Sequence, residues 1–382
     1  MRLYSNMKNL TLPLFLACAS FGAAQDFDAW ITAHANFVVG DQNDLDLPGH
    51  AHDAADGQYV QGSDIAFNFE AMGWLSGFAG VAIFQNEEQE LAAEMEEAFL
   101  RADIPDTNLS VRAGQFLNRI GTQNNVHLHS WDFVDSNLST AHFLGEEGLG
   151  TQGVELNWLS EFDQGLFALS VGYGSVVAHD HAHDEHDDEE EEDDDDLEEE
   201  EEHEEGLEGE ALTARALVKY NVTDFQQYQL GLNYMTAFDV DHDLYGVDFY
   251  YTWSAAGLEG GGDSFTIGGE YYNLNNGEED FGSVLLAAHY RFANGCALHA
   301  RYEWLEFGEH HEEEDGTEVE EEFARQRYSI GASYTQQISE DWSGRVLVQY
   351  NYDRISGEDG KDSADEVWLQ LGLSYGSKEE IR

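Results

Sequence analysis

Residues 30–39 read WITAHANFVV, and apolar side chains recur at every second position. One parity is apolar throughout and the other mixes aromatic and polar residues: Ile31, Ala33, Ala35, Phe37 and Val39 against Trp30, Thr32, His34 and Asn36. Successive side chains of a β-strand point to opposite faces, so this period of two predicts a strand with one apolar face. Residues 367–375, VWLQLGLSY, repeat the pattern.

The same alternation recurs along the chain. Further segments lie near 63–73, 77–85, 108–117, 152–161, 165–178, 209–220, 226–237, 243–255, 263–274, 281–293, 296–307, 325–337 and 342–353. A segment near 95–103 is ambiguous, because Leu91, Met95 and Phe99 also have the spacing of one helix face. Counted as a strand, it gives about sixteen strands, and counted as a loop helix it leaves about fourteen. Most segments have the roughly 9 to 13 residues that a tilted strand needs to cross a bilayer.

The connections between these strands sort by length. If the N-terminus is periplasmic, every second connection is short and holds turn-forming residues: 74–77, 105–108, 162–165, 221–225, 256–262, 293–295 and 338–342. The other set contains the long charged insertions near 40–62, 118–151, 179–208, 308–324 and 354–364. Short periplasmic turns with long extracellular loops are typical of outer-membrane barrels. The sequence therefore predicts an all-β fold, a transmembrane antiparallel β-barrel of about sixteen strands within a range of about 14 to 18.

The ends of the sequence predict the domain boundaries. Arg2 and Lys8 flank an apolar stretch at 10–19 that leads to small residues at 22–24, the pattern of a signal peptide covering 1–24. The barrel is then expected over 25–375, with a tail at 376–382 beyond Tyr375. No apolar run of about 18 residues follows the leader, so no helical span is expected. Cys296 is the only cysteine after the leader, which excludes an intrachain disulfide framework.

Charge excludes one class of partner. The chain has 16 Lys and Arg against 78 Asp and Glu, a formal net charge of -62. Nucleic acid is not expected as a partner, because phosphate binding needs the opposite sign. The excess of acidic residues is consistent with a protein that attracts cations, or with an acidic surface adapted to high salt.

Histidine is concentrated in the predicted extracellular loops. The acidic run HDHAHDEHDDEEEEDDDDLEEEEEHEE at 179–205 contains several, and HAHD occurs at both 50–53 and 181–184. Residues two apart in an extended chain lie on one side about 7 Å apart, so modest bending lets both reach one ion. Neutral imidazole with carboxylate suits Zn²⁺ and also Cu²⁺, Ni²⁺ or Co²⁺. The candidate metal ligands are His50, His52, His127, His129, His142, His179, His181, His183, His186, His203, His310 and His311.

Two other interpretations stay open at this point. The acidic loops can be solvated surface, and the histidines can be incidental to it. An enzyme is not expected, because the sequence has no G-x-S-x-G, no H-E-x-x-H and no phosphate-binding glycine loop. No cofactor is required, and a divalent cation is expected as ligand or substrate.

Residues 114–158 carry a family resemblance. The segments GQF at 114–116, HSWDF at 129–133, FLG at 143–145 and EGL at 147–149 resemble zinc-regulated bacterial outer-membrane receptors. Members of this family are sometimes labelled TonB-dependent. This chain departs from that label, since strands begin soon after the leader and leave no room for the usual N-terminal plug. The resemblance implies a role in zinc uptake by a porin-like route, without an expected energising periplasmic partner.

The resemblance also suggests a constriction. The 118–151 connection is the third extracellular link, which folds inward and narrows the pore in sixteen-stranded porins. This implies that His127, His129 and His142 line the pore together with the constriction candidates Asp132, Asp135, Glu146 and Glu147. The alternative is that Trp131, Phe133 and Phe143 merely hold a surface loop.

These observations predict a porin-like channel of the bacterial outer membrane that takes up divalent cations, most of all zinc. Its expected partners are outer-membrane lipid, divalent metal ions and, as a homo-oligomer, copies of itself. The alternatives are a non-transporting barrel that binds or buffers metal at the surface, and a general cation-preferring porin whose acidity reflects salt adaptation.

Overall fold

The computed structural model describes residues 26–41, 57–85, 91–145, 148–177, 207, 209–238, 240, 242–277, 280–312, 318–357, 360–376 and 378–381. Sixteen strands form one closed barrel. Their bounds are β1 Phe27–Asp41, β2 Gly57–Ala71, β3 Leu75–Gln85, β4 Leu91–Asp103, β5 Leu109–Leu117, β6 Gly150–Phe162, β7 Gly165–Val176, β8 Glu210–Thr223, β9 Gln226–Ala237, β10 His242–Ser254, β11 Ser264–Asn275, β12 Asp280–Arg291, β13 Cys296–Glu312, β14 Glu318–Gln337, β15 Trp342–Gly357 and β16 Gly360–Tyr375. The prediction of an antiparallel barrel with about sixteen strands is confirmed.

Each strand pairs antiparallel with its neighbours in sequence, and β1 closes the cylinder against β16. Ala33 lies opposite Tyr375 and Asp41 opposite Val367 in that closing pair. Closure of the barrel leaves no strand edge unpaired. A structure surrounded by lipid must pair every edge, because the hydrocarbon offers no hydrogen-bond partners. The stretch near 95–103 belongs to β4 and is strand, so its helical spacing was overridden by pairing with β3 and β5.

The alternation separates the lipid side of the wall from the lumen. In β1 the side chains of Ile31, Phe37 and Val39 are exposed on the outside, whereas Thr32 and Asn36 are buried inside. The outer surface of the other strands is similarly rich in exposed Leu, Ile, Val and aromatic residues. This apolar exterior on a closed barrel is what a bilayer stabilises, and the chain is a protein of the bacterial outer membrane.

The two ends of the barrel differ, although less sharply than predicted. One end, here called the short-turn rim, carries the connections 72–74, 104–108, 163–164, 224–225, 255–263, 292–295 and 338–341. The opposite end carries the three longest connections, 42–56, 118–149 and 177–209, together with several short ones. Exposed aromatic residues near the short-turn rim include Trp74, Trp158, Phe162, Phe225 and Trp342, as in the interfacial girdles of membrane barrels.

Several predicted boundaries are wrong because the strands are longer than a bilayer requires. A crossing needs about 9–11 residues, whereas β14 has 20. The predicted loop at 308–324 is reduced to 313–317, and His310 and His311 belong to β13, opposite Glu320 and Val319 of β14. The paired strands of this hairpin extend beyond the length needed to cross the bilayer. The connections predicted at 40–62 and 354–364 are shorter than expected for the same reason.

The residues between β5 and β6, here called the 118–149 loop, contain the only α-helix among the described residues, α1, Leu138–Leu144, preceded by a 3₁₀ turn at Leu128–Ser130. Among the residues described, no helix combines the length and apolar character needed to cross a membrane.

Candidate functional site

The 118–149 loop lies inside the barrel and contacts its wall on several sides. Its backbone exchanges hydrogen bonds with inward-facing side chains of β2, β9 and β13: Gln61 Nε2 donates to the Val134 carbonyl at 2.6 Å, the Gly121 amide to Asn233 Oδ1 at 3.0 Å, and the Leu138 amide to Glu303 Oε1 at 2.7 Å. Because these strands lie around the circumference, the loop crosses the lumen and narrows it.

Asp135 is the main anchor of the loop. Its carboxylate accepts hydrogen bonds from Arg301 at 2.7 Å, Arg327 at 2.5 Å, Gln349 at 2.6 Å and Asn351 at 3.1 Å. The side chain is fully buried. The sequence placed Asp135 on the surface of a constriction, but the structure uses its charge to hold the loop against β13, β14 and β15.

Helix α1 packs into an apolar patch of the lumen. Its side chains belong to a cluster with the inward residues of the wall: Ile120, Leu138, Phe143, Leu144, Leu149, Met235, Leu244, Tyr272, Leu274, Leu305 and Phe307. His142 lies against the rings of Phe143 and Phe307. Burial, aided by the charge of Arg325, lowers the pKa of His142 to about 4, so this imidazole is neutral at physiological pH.

The first histidine and carboxylate group joins the loop to β1 and β2. Nδ1 of His129 lies 2.6 Å from Oδ2 of Asp64, and its ring stacks on His34 with centroids 3.5 Å apart and an interplanar angle of 3°. Ligand atoms of His34, His129 and Glu380 all lie within 4.8 Å of one another. The hydrogen bond to Asp64 acts to raise the pKa of His129, but burial lowers it by more. The lowered pKa favours the neutral form of this imidazole.

His127 has a different environment from His129. Nε2 lies 2.8 Å from Oε2 of Glu97, and Nδ1 lies 3.1 Å from Oε2 of Glu96 without the alignment of a hydrogen bond. Although burial opposes it, these two carboxylates raise the pKa of His127 well above its usual value. His127 is therefore an imidazolium held between carboxylates, although its ligand atom also lies within 4.8 Å of those of Asp64 and His129.

Residues 378–381 turn into the barrel at the short-turn rim. Thr32 Oγ1 donates to Oε1 of Glu380 at 2.7 Å, and the amide of Ile381 donates to Oδ1 of Asn68 at 2.9 Å. Ile381 packs against the buried ring cluster of Phe78, Phe99 and Phe116. Burial would raise the pKa of Glu380, but bonds to His34 and Thr32 and the nearby imidazoles hold it well below its usual range.

The second group consists of Asp132 of the loop, His289 of β12 and His299 of β13, with ligand atoms within 4.8 Å. Asp132 and His299 line a cavity of about 560 Å³. Nη2 of Arg291 donates to both carboxylate oxygens of Asp132, at 2.7 and 2.9 Å. The charges of Arg291 and both histidines keep the pKa of Asp132 low, although burial acts to raise it.

The position of this cavity links the two groups. It is lined by His129 and Asp132 of the loop, by wall residues such as His299 and Arg345, and by Ala293 and Gly295 of the β12–β13 turn. The cavity therefore lies in the lumen towards the short-turn rim, and both groups border it.

The structure thus places five of the predicted site residues inside the lumen: His127, His129, His142, Asp132 and Asp135. The candidates His50, His52, His179, His181, His183, His186, His203, Glu146 and Glu147 lie outside the described residues. Sequence reasoning missed His34, Asp64, Glu97, His289, His299 and Glu380. A signal for His34, His289 and His299 was available in the sequence. Each lies in a predicted strand at one of the alternate positions whose polar side chains face the lumen and not the lipid.

Comparison with known proteins supports the fold. No family model matches the chain, and no curated protein matches it. Among solved structures, an anion-selective porin from Comamonas acidovorans is 10 % identical with a TM-score of 0.52, covering 92 % of this chain and 99 % of the porin. The outer membrane channel DcaP of Acinetobacter baumannii is 12 % identical with a TM-score of 0.50, covering 93 % and 98 %. A loop-deletion mutant of OmpT, an outer membrane protein of Vibrio cholerae, is 13 % identical with a TM-score of 0.50, covering 92 % and 98 %.

At these identities the likeness shows a porin-type barrel. Nothing in it is specific to the zinc-regulated receptors, so that resemblance stays a prediction.

Proposed function

We propose that this protein is a porin-like outer-membrane channel through which divalent metal cations, zinc above all, diffuse into the periplasm. The observation that carries the proposal is the convergence of imidazole and carboxylate groups along the inward-folded loop, at His129 with Asp64 and at Asp132 with His289 and His299. These ligand types suit zinc and its neighbours among the transition metals. In a channel they give a passing ion weak successive contacts in place of its hydration water.

Most of the lumenal arginines do not oppose a cation route, because carboxylates balance their charge. Arg327 lies between Asp135 and Asp353, and Arg215 lies 3.0 Å from Asp248. Arg291 and Arg345 are the basic groups at the cavity, and Asp132 is the acidic partner of Arg291. The overall formal charge of -62 adds a long-range attraction for cations.

The acidic run at 179–205 supports collection of ions. A mouth potential of about one kT enriches a divalent cation roughly sevenfold, and two kT roughly fiftyfold. Salt at about 0.1 M limits this effect to about 10 Å. We propose that this run raises the local concentration of cations and that the 118–149 loop filters them.

Proteoliposomes containing the purified protein and an entrapped zinc-sensitive dye test the proposal. Zinc is expected to enter much faster than into empty vesicles, and deletion of 179–205 should weaken zinc binding in calorimetry while leaving the conductance of the pore. Absence of zinc entry into vesicles that hold folded protein would defeat the proposal. Equal weak binding of Zn²⁺, Ca²⁺ and Mg²⁺ would instead favour a general cation-preferring porin.

One observation favours a second function. The lumen is occupied by the 118–149 loop and, at the short-turn rim, by residues 378–381. A barrel filled in this way also suits a surface protein that binds metal without transporting it. That function predicts zinc binding with no conductance in planar bilayers.

A further inference from the structure

Three separate parts of the chain meet beside the stacked imidazoles. His34 comes from β1, His129 from the 118–149 loop and Glu380 from the segment that enters the barrel after β16. Nε2 of His34 lies 3.5 Å from Oε1 of Glu380. Nδ1 of His34 is buried and has no hydrogen-bond partner, so the protein alone does not satisfy this ring.

Asp64 fixes the orientation of the His129 ring. An ionised carboxylate only accepts hydrogen bonds, so the 2.6 Å contact places the ring proton on Nδ1 of His129. The lone pair is then on Nε2, the atom left for a metal. A carboxylate that holds the far nitrogen of a histidine is the usual outer partner of a metal-ligating imidazole, because it sets the tautomer and raises ligand basicity.

The charges at this place favour a cation more than those of the second group do. Asp64 and Glu380 supply two carboxylates, and the neighbouring His127 side chain is already paired with Glu97. In the second group the carboxylate of Asp132 is occupied by the guanidinium of Arg291. A divalent ion beside Asp132 would have to displace that guanidinium, whereas at Glu380 it would replace a neutral hydroxyl donor, Thr32.

We propose that His34, His129 and Glu380 bind one divalent transition-metal ion of the zinc type, with Asp64 as the positioning residue for His129. Two nitrogens and one oxygen leave a fourth, tetrahedral position for water. Two Zn–N bonds of about 2.0–2.1 Å place the nitrogens about 3.4 Å apart, within the 4.8 Å that spans the ligand atoms of this group. Because a metal lies in the plane of each imidazole that ligates it, the two rings must leave their parallel stack on binding, so that their planes converge at the ion.

The bound ion ties the entering segment 378–381 to both the loop and the wall. Such a resident site goes beyond the proposed transport, since it requires no ion flux. A barrel that conducts cations but binds no ion here would leave the proposed function intact and overturn the site. A barrel that binds an ion here but does not conduct cations would overturn the proposed function and leave the site intact.

Titration of the full-length protein in detergent with Co²⁺ tests the site. Tetrahedral cobalt with nitrogen ligands absorbs visible light strongly, whereas ions held by the oxygens of the acidic loops absorb weakly. We expect one intense site per chain, lost together with tight binding in H34Q, H129Q and E380Q. D64N should keep the spectrum but bind about 10- to 100-fold more weakly, as outer-partner substitutions do.

Two matched controls are available in the same molecule. E379Q makes the same charge change one residue away, and H242Q removes a histidine of β10 that belongs to neither group; both should retain the full signal. Heat-modified mobility on gels verifies that each variant is folded. Absence of the intense signal in the wild type, or its persistence in both H34Q and E380Q, would overturn the site.

Trypsin provides an independent readout. Lys378 is half exposed and precedes Glu380, so cleavage after Lys378 requires the segment to open. At a zinc concentration about ten times Kd, cleavage there should slow about tenfold, since only the closed form binds the ion. The slowing should be absent in E380Q and present in E379Q. Equal cleavage rates of the wild type with and without zinc would contradict the proposal.

Discussion

Oδ1 of Asp135 lies 2.7 Å from Nη2 of Arg301, and both side chains are buried in the lumen. The pair joins the middle of the 118–149 loop to β13, and Arg327 of β14 holds the second oxygen of the same carboxylate. Removing one member of a buried pair leaves an uncompensated charge, which costs about 3–5 kcal/mol. The path through the barrel therefore depends on one carboxylate that does not itself line it.

Substitution of Asp135 should release the loop. In D135N two arginines lose their shared counter-ion, so we expect the loop to leave the wall and the single-channel conductance to rise and become noisier. Planar-bilayer recording measures this, with D163N, an exposed residue of a short turn, as the control that keeps the wild-type conductance. An unchanged conductance in D135N would show that the loop does not limit the pore.

His142 should make docking of the loop sensitive to acid. Its pKa is about 4 in the folded protein and 6.5 in an unperturbed chain, so the unfolded state binds more protons between these values. Stability is therefore lost as pH falls from about 6.5 to 4, by about 3 kcal/mol at most. Urea unfolding followed by tryptophan fluorescence checks this, and H142F should lack this component. Identical pH profiles for the two proteins would contradict the assignment.

Substitutions of Asp132 and of Arg291 should shift the cation-to-anion permeability ratio in opposite directions. D132N leaves Arg291 and Arg345 uncompensated at the cavity, while R291Q frees the carboxylate. A change of about half to one kT in local potential alters the cation-to-anion permeability ratio by about three- to sevenfold. Reversal potentials in a KCl gradient should move towards anions in D132N and towards cations in R291Q. Shifts of the same sign would exclude electrostatic control at this point.

Gly114 should tolerate no side chain. Its φ is +136°, and a Cβ there would lie 2.2 Å from the carbonyl oxygen of Ala98 on β4. G114A should therefore destabilise the β4–β5 pair by about 1–3 kcal/mol or more. The midpoint of urea unfolding measures the effect. G261A is the control, because nothing lies within 4 Å of a Cβ at that turn position.

The sequence predicted the barrel well because strand periodicity and loop lengths are local properties. The alternation in β1 and β16 is visible residue by residue, and the sorting of connections requires only counting. The strand ends were less predictable, since the pairing of His310 with Glu320 beyond the bilayer depends on the hairpin and not on hydropathy.

The site was only partly predictable because its groups are distant in sequence. His129 was identified from its loop, but its partner Asp64 lies 65 residues away and Glu380 follows the last strand. Short polar segments such as 378–381 have no periodicity, so nothing in the sequence indicated that this one turns into the lumen. The inward-facing parity of His34, His289 and His299 was the available clue.

The reversal potential of single channels in a ZnCl₂ gradient across a planar bilayer shows whether zinc or chloride carries the current. If the lumen admits zinc through its histidine and carboxylate groups, the potential has the sign set by diffusion of the cation. A potential of the sign set by chloride, or a folded protein that does not conduct, would contradict the account.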